Sequence, residues 1–391
     1  MNIYEESLKY HEELKGKYQI KSNCKISNSK DLSLAYTPGV AEPCREIQKN
    51  PDLAYTYTRK WNTVAVISDG TAVLGLGDIG PLASLPVMEG KSILFKEFAD
   101  VDAFPLVLDT KNIDEIVDTI VRLSPSLGGI NLEDISAPRC FEIEKKLKEK
   151  LDIPVFHDDQ HGTAIVVLAA LINALKLVKK DIANIKIVIN GAGSAGTAIC
   201  KLLISFGAKN IIICDKSGII NIDMDSLNYS MKELSLITNK NNVKGDLKDA
   251  LVNSDVFIGV SAPNLVSKEM ALTMNDDAII FAMANPIPEI FPETAKEAGI
   301  KIIGTGRSDF PNQVNNVLVF PGIFRGALDE RAKDINEEMK IAAAYAIANS
   351  VKEEELSYDF ILPKAFDLTV QKSVANAVKE AAIKSGVSKI F

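Results

Sequence analysis

The segment VFHDDQHGTA, residues 155–164, sets Asp158 and Asp159 between His157 and His161, two of the chain's three histidines. Adjacent carboxylates after an apolar run suit a hard divalent cation, because Mg2+ and Mn2+ take carboxylate oxygens and water. The histidine spacing also matches the zinc motif HExxH, but that motif needs both rings on one face of one helix. Here Ile153 to Phe156 read as strand and Gly162 follows His161, so the pair is expected to straddle a strand-to-helix bend. A cation needs more oxygens than one pair offers. GINLEDIS supplies Glu133 and Asp134 after another apolar run, and with one of the two aspartates they make three oxygen ligands. The plain alternative for that acidic pair is a solvated helix start.

Two further titratable residues sit in settings marked by Pro and Gly. Tyr36 precedes Thr37-Pro38-Gly39, a tight turn. Lys91 follows Glu89-Gly90 and precedes ILFKEF, which is expected to be a strand. Either could be ordinary packing or surface. NGAGSAG carries Gly191, Gly193 and Gly196 in GxGxxG spacing, between a strand and a helix that opens at Ser194 and Ala195. In that context the glycines allow close approach of a pyrophosphate, which the helix N-terminus stabilises. Asp215 ends the next strand, where a carboxylate accepts hydrogen bonds from an adenosine ribose. That favours NAD, while Lys216 beside it leaves room for NADP. A Gly-rich structural turn is the alternative.

The elements around these residues follow a parallel-sheet rhythm. IKIVIN, NIIICD, DVFIGV, AIIFAMAN and IKIIGTG alternate with helical stretches, and four of the runs end in polar or Gly-rich turns. The first half is less regular, with TVAVISDG and FPLVLD as strands and NIDEIVDTIVRLS and FEIEKKLKEKL as helices. Between the halves, GTAIVVLAALINALKLVKK contains Asn173 and Lys176 and is expected to be a buried interdomain helix, not a membrane span. The fold class is therefore α/β: an N-terminal α/β domain over residues 1–160, then a Rossmann-like doubly wound parallel sheet over 161–391 with C-terminal helices.

Composition bounds the partners. At 391 residues the chain is long enough for two cores, and 47% apolar with 25% charged residues is ordinary for a globular protein. A formal charge of −8 without a basic run argues against nucleic acid and for small ligands. Cys24, Cys44, Cys140, Cys200 and Cys214 form no CxxC pair, which suits free packing thiols in a reducing compartment. The N-terminus has no apolar h-region, so a cytoplasmic location is expected.

LAYTPGVAEPC, SDGTAVLGLGDIGPLASLPVMEGK, INLEDI, VFHDDQHGTA, NGAGSAG, FAMANPIPE and NNVLVFPGIFRGAL, in that order, resemble the malic enzymes over nearly the whole chain. The resemblance is to their short bacterial and archaeal form. It implies oxidative decarboxylation of L-malate to pyruvate and CO2 with NAD(P), decarboxylation of oxaloacetate, and assembly as a homodimer or higher oligomer. It implies Glu133, Asp134 and Asp159 as ligands of Mg2+ or Mn2+, with Asp158 facing Lys91. It casts Lys91 as the base for the malate hydroxyl and Tyr36 as the acid that protonates the enolate. Asn285 and Asn316 would hydrogen-bond substrate and the nicotinamide end. Longer members grip a malate carboxylate with an arginine where this chain has Ala72, which leaves Asn316 and Arg325 as candidates. The competing readings are malolactic conversion to lactate and a catalytically inactive dinucleotide-binding module.

Overall fold

The β-branched runs become the strands of two sheets in a computed structural model that describes residues 2–73, 75–225 and 227–390. The first sheet contains β1 (Thr63–Ser68), β2 (Asp102–Val107), β3 (Gly129–Leu132) and β4 (Val155–His157), parallel, in the order β2-β1-β3-β4. Every residue of β1 is buried, with no alternation, because both faces of the sheet are covered. Ala65, Ile67 and Ile130 pack beneath the helices Ile113–Leu123 and Arg139–Lys150. The other face lies under the helix Pro81–Ala99 and under Phe320–Asp329, a later helix on which Leu368–Lys384 packs in turn. Phe95 meets Phe320 and Phe324 edge-on, with ring centroids 4.8 and 5.2 Å apart.

That helix corrects one expectation. ILFKEF is not a strand but the last part of Pro81–Ala99. Ser84, Met88, Lys91, Ser92 and Phe95 are its buried residues, a helical spacing that the short apolar run disguised. Lys91 therefore projects from a buried helix face instead of leading into a strand.

The second sheet contains β5 (Lys186–Asn190), β6 (Asn210–Asp215), β7 (Gly218–Ile219), β8 (Val256–Gly259), β9 (Ile279–Ala282) and β10 (Ile302–Thr305). Its order, β10-β9-β8-β5-β6-β7, reverses direction beside β5, which is the doubly wound arrangement. Only the short edge strand β7 departs from the parallel expectation, pairing antiparallel with β6.

The helix Thr163–Val178 runs between the sheets, buried from Ala164 to Leu175. The longer helical segment Asp158–Val178 is long and apolar enough to cross a membrane, but its residues are mostly interior. Cys140, Cys200 and Cys214 are buried as expected of packing thiols, whereas Cys24 and Cys44 are exposed.

Asn173 is the polar exception in that helix. Its Nδ2 donates to the carbonyls of Ala348 and Ile361, at 2.8 and 2.9 Å, and so joins the helix to two later segments. Asn173→Leu keeps the volume and removes both donors, and should lower the unfolding free energy by about 1–3 kcal/mol. Urea unfolding checks this. An unchanged midpoint would mean that the two carbonyls find other donors.

Candidate active site

The register of the first sheet creates the site. Leu132 on β3 lies opposite His157 on β4, so the residues that follow, Glu133-Asp134 and Asp158-Asp159, leave the sheet side by side. Asp158–Gly162 then forms one π-helical turn before the long helix begins. From across the sheet edge, Lys91 Nζ reaches 2.7 Å from Asp158 Oδ2 and 2.9 Å from Glu133 Oε1. It also sits 4.3 Å above the centre of the Phe320 ring, where the π face favours a cation.

Neighbouring groups hold these carboxylates in place. Asn316 Nδ2 donates to Asp158 Oδ2, and Asn131 Nδ2 donates to Glu133 Oε2 at 2.8 Å. The Asp134 N–H donates to Asp159 Oδ2 at 2.8 Å, in a backbone conformation with φ of 54°. The Asp134 carbonyl in turn accepts the N–H of Ala72 at 2.9 Å, which moors the glycine loop after β1 to the site.

Electrostatics shows a deficit of positive charge. Burial pushes the Asp134 carboxyl up to about 9, and the Asp159 and Glu133 carboxylates add to the shift. Burial also raises Glu133, and lifts Asp158 to about 6 against the pull of Lys91. Burial disfavours the Lys91 ammonium, yet Asp158 and Glu133 outweigh it and raise its pKa above the ordinary lysine value. One ammonium and the buried His157 ring, 3.7 Å from Asp159, face four carboxylates, which leaves the cluster short of a cation.

Glu133, Asp134 and Asp159 could hold one. Each offers a carboxylate oxygen, and the three lie within 4.8 Å of one another. Asp134 Oδ2 is buried with no hydrogen-bond partner. An orphaned oxygen in an all-carboxylate set fits Mg2+ or Mn2+ and not a thiophilic metal. The histidines do not converge in the manner of a zinc site. His157 is buried at the end of β4, while His161 Nε2 pairs with Glu144 Oε1 at 2.7 Å.

The dinucleotide signature forms a second cleft beside this cluster. Gly191 follows β5 with φ of 122°, and the helix Ser194–Phe206 opens after Gly193, so Ser194 and Ala195 occupy its first turn. A Cβ on Gly196 would lie 1.8 Å from the Gly191 carbonyl oxygen, so only glycine permits that approach. A cavity of about 840 Å3 runs from Gly191 and Gly193 to Asp215 and Lys216, with Pro138 and Phe141 of the first sheet's helical layer as its far wall. Asp215 Oδ1 accepts the Ser217 N–H at 2.8 Å, and its other oxygen makes no hydrogen bond among the described residues. Asn285 follows β9, and its carbonyl oxygen lies 3.6 Å from a Cβ built on Gly75 in the glycine loop.

Two expected residues are elsewhere. Arg325 is held by Asn62, Asp329 and the face of Trp61, at the start of β1 and so at the opposite end of the strand from the cluster. It is not free to grip a carboxylate at the site. Tyr36 is 66% exposed, and its hydroxyl makes no hydrogen bond among the described residues. Within one chain it does not join Lys91. Asn131 and the Pro138–Phe141 wall were missed from sequence. A lone amide in the apolar run GINL, two positions before Glu133, was the available signal for Asn131.

Residues 15–148 match the malic enzyme N-terminal domain, and residues 160–383 match the malic enzyme NAD binding domain. The bifunctional malic/malolactic enzyme of Bacillus subtilis is 57% identical over 391 residues, which is 100% of this chain and 95% of that one. The NAD-dependent malic enzyme of Geobacillus stearothermophilus is 57% identical over 374 residues, 96% of this chain and 78% of that one. A crystal structure of the NAD-dependent malic enzyme of Thermotoga maritima superposes with a TM-score of 0.93 at 50% identity, covering 95% of this chain and 98% of that one. That of the malic enzyme from Pyrococcus horikoshii gives 0.95 at 46%, covering 100% and 93%. With both domain profiles matched and the carboxylate cluster and dinucleotide cleft side by side, this chain belongs to the malic enzyme family.

Proposed function

We propose that the chain oxidises L-malate to pyruvate and CO2 with reduction of NAD(P), as the names of its relatives suggest. The observation that carries this is the Lys91 ammonium, buried between Asp158 and Glu133 at the edge of an all-carboxylate metal set. Residues 1–160 supply that set, and residues 161–391 the dinucleotide cleft, both in the cytoplasm. When bound, the dinucleotide supplies the hydride acceptor and the divalent ion supplies a Lewis acid for the charge that builds on substrate oxygens.

The chain's own groups do the rest. Glu133, Asp134 and Asp159 hold the ion, and the Gly191–Gly196 turn with the helix N-terminus at Ser194 holds the pyrophosphate. Asn285 and Asn316 orient substrate and nicotinamide. Lys91 Nζ takes the hydroxyl proton of malate, which it can do only once it has lost its own. Glu133, if it held such an ion, would act less strongly as one of the two carboxylates that keep Lys91 protonated. After CO2 has left, the Tyr36 hydroxyl gives its proton to the terminal carbon of enolpyruvate.

Tyr36 needs a second copy of the chain to do this. No residue between Asn2 and Trp61 is buried, while Ile3, Tyr4, Leu8, Leu34 and Tyr36 stand in solvent. An apolar surface of that extent asks for cover. A homodimer in which each N-terminal segment lies over its partner would cover it and carry Tyr36 to the partner's Lys91. The malolactic reading has one observation in its favour, the name of the Bacillus subtilis relative. Release of NADH and pyruvate, not lactate, separates the two, and no turnover at all would leave the inactive dinucleotide module.

Chelation should abolish malate oxidation and added Mn2+ should restore it, with Asp159→Asn losing the response but still binding NAD; turnover surviving exhaustive chelation would remove the metal from the scheme. NAD should be preferred through Asp215, with Asp215→Ser weakening or reversing the preference. A higher kcat/KM for NADP in the unaltered chain would hand that decision to Lys216 or another group.

General acid–base groups contribute about 10²–10⁴-fold, so Lys91→Ala and Tyr36→Phe should each lose activity on that scale. Deuterium exchange into the methyl group of pyruvate, with reduced cofactor present, needs no hydride transfer and should be strongly impaired in Tyr36→Phe, because Tyr36 is the group that moves that proton. Mixing the two inactive variants under subunit exchange should return activity. Mixtures as dead as their parents would place Tyr36 and Lys91 of one site in the same chain.

A further inference from the structure

Glu289, in the loop after β9, is fully buried and makes no ion pair among the described residues. Its Oε1 accepts the N–H of Ser261 at 3.1 Å, and its Oε2 accepts the N–H of Ala284 at 3.0 Å. These donors belong to different strand ends, since Ser261 follows β8 and Ala284 follows β9. The β8 strand makes room for the carboxylate with Gly259, where a Cβ would lie 2.4 Å from Glu289 Cδ. The main chain reinforces the contact, because the Pro288 and Glu289 carbonyls accept the N–H groups of Asn264 and Val266 at 3.0 Å.

The connection reaches one strand further. Ser261 Oγ accepts Asn190 Nδ2 at 2.7 Å, and Asn190 ends β5 immediately before Gly191. A single buried carboxylate therefore ties together the carboxyl ends of β5, β8 and β9, where an open parallel sheet of this order binds its ligand. Asn285 is bonded directly to Ala284. Burying a carboxylate without a counter-ion is costly, and two charge-assisted N–H bonds offset only part of that cost. Nothing about packing alone calls for an acid at this place.

We propose that Glu289 is a positioning residue that sets Asn285, and with it the nicotinamide end of the cofactor cleft. This rests on the reading of that cleft given above. A carboxylate does it because both of its oxygens accept; a glutamine has one acceptor oxygen and would turn an N–H toward one of the two backbone donors.

Glu289→Gln tests the proposal by comparing NAD with ADP-ribose, which carries everything but the nicotinamide. Leaving a buried N–H unpaired should lower kcat/KM with malate and NAD about tenfold. NAD binding should weaken, and ADP-ribose affinity should stay unchanged. In an Asn285→Ala background the same substitution should cost less than about twofold, since its effect passes through Asn285. An equal weakening of NAD and ADP-ribose, or equal losses in both backgrounds, would overturn the proposal. Should Glu289→Gln not fold, Glu289→Asp carries the same comparison, because its shorter side chain can reach one donor only. Ligand binding is measured without turnover, so a chain that binds NAD and leaves malate untouched would sink the malate reading while the test of Glu289 stands.

Discussion

The site depends on the cost of burying like charges together. Glu133, Asp134, Asp158 and Asp159 leave two adjacent strand ends within a few residues of each other, and among the described residues Lys91 and the His157 ring, 3.7 Å from Asp159, oppose them. Removing carboxylates from water is expensive unless a cation repays it. The first sheet accepts that cost by making its interior rigid: both faces of β1, β3 and β4 are covered, and Asn131, Asn316 and the Asp134 N–H hold the oxygens in fixed directions. A cluster so oriented is a receptor for positive charge before any ligand arrives.

Much of this was legible in the sequence because charge and strand ends are local signals. An acidic pair after a short apolar run can be read without knowing what lies across from it, and INLEDI and VFHDDQ were both of that kind. GxGxxG between strand and helix was equally local, and the cleft forms where the glycines imply. What the sequence does not display is what is decided at a distance. ILFKEF has the composition of a strand and becomes helix because its apolar side chains must meet Phe320 and Phe324, more than two hundred residues later. Arg325 has the right chemistry for a carboxylate, but the helix that carries it aims the guanidinium at Asn62 and Trp61. Tyr36 is the extreme case, since no contact within the chain gives it a place.

Glu289 illustrates a different blindness. Its partners are backbone N–H groups, which every residue except proline possesses, so no residue type in the sequence announces them. Lys91, by contrast, is coupled to side chains whose types are visible. Sequence reading finds the groups that meet substrate more readily than those that hold such groups still.

The helix Phe320–Asp329 comes late in the chain yet roofs the first sheet, and Phe320 forms the floor beneath Lys91. Order of synthesis and order of assembly therefore part company. The strands of the first sheet leave the ribosome early, but Phe95 has no aromatic cover until Phe320 and Phe324 have been made. Domains usually fold as units during synthesis, N-terminal first. Here the first lobe must wait for Phe320, and a chain that stops before it has no ring beneath Lys91.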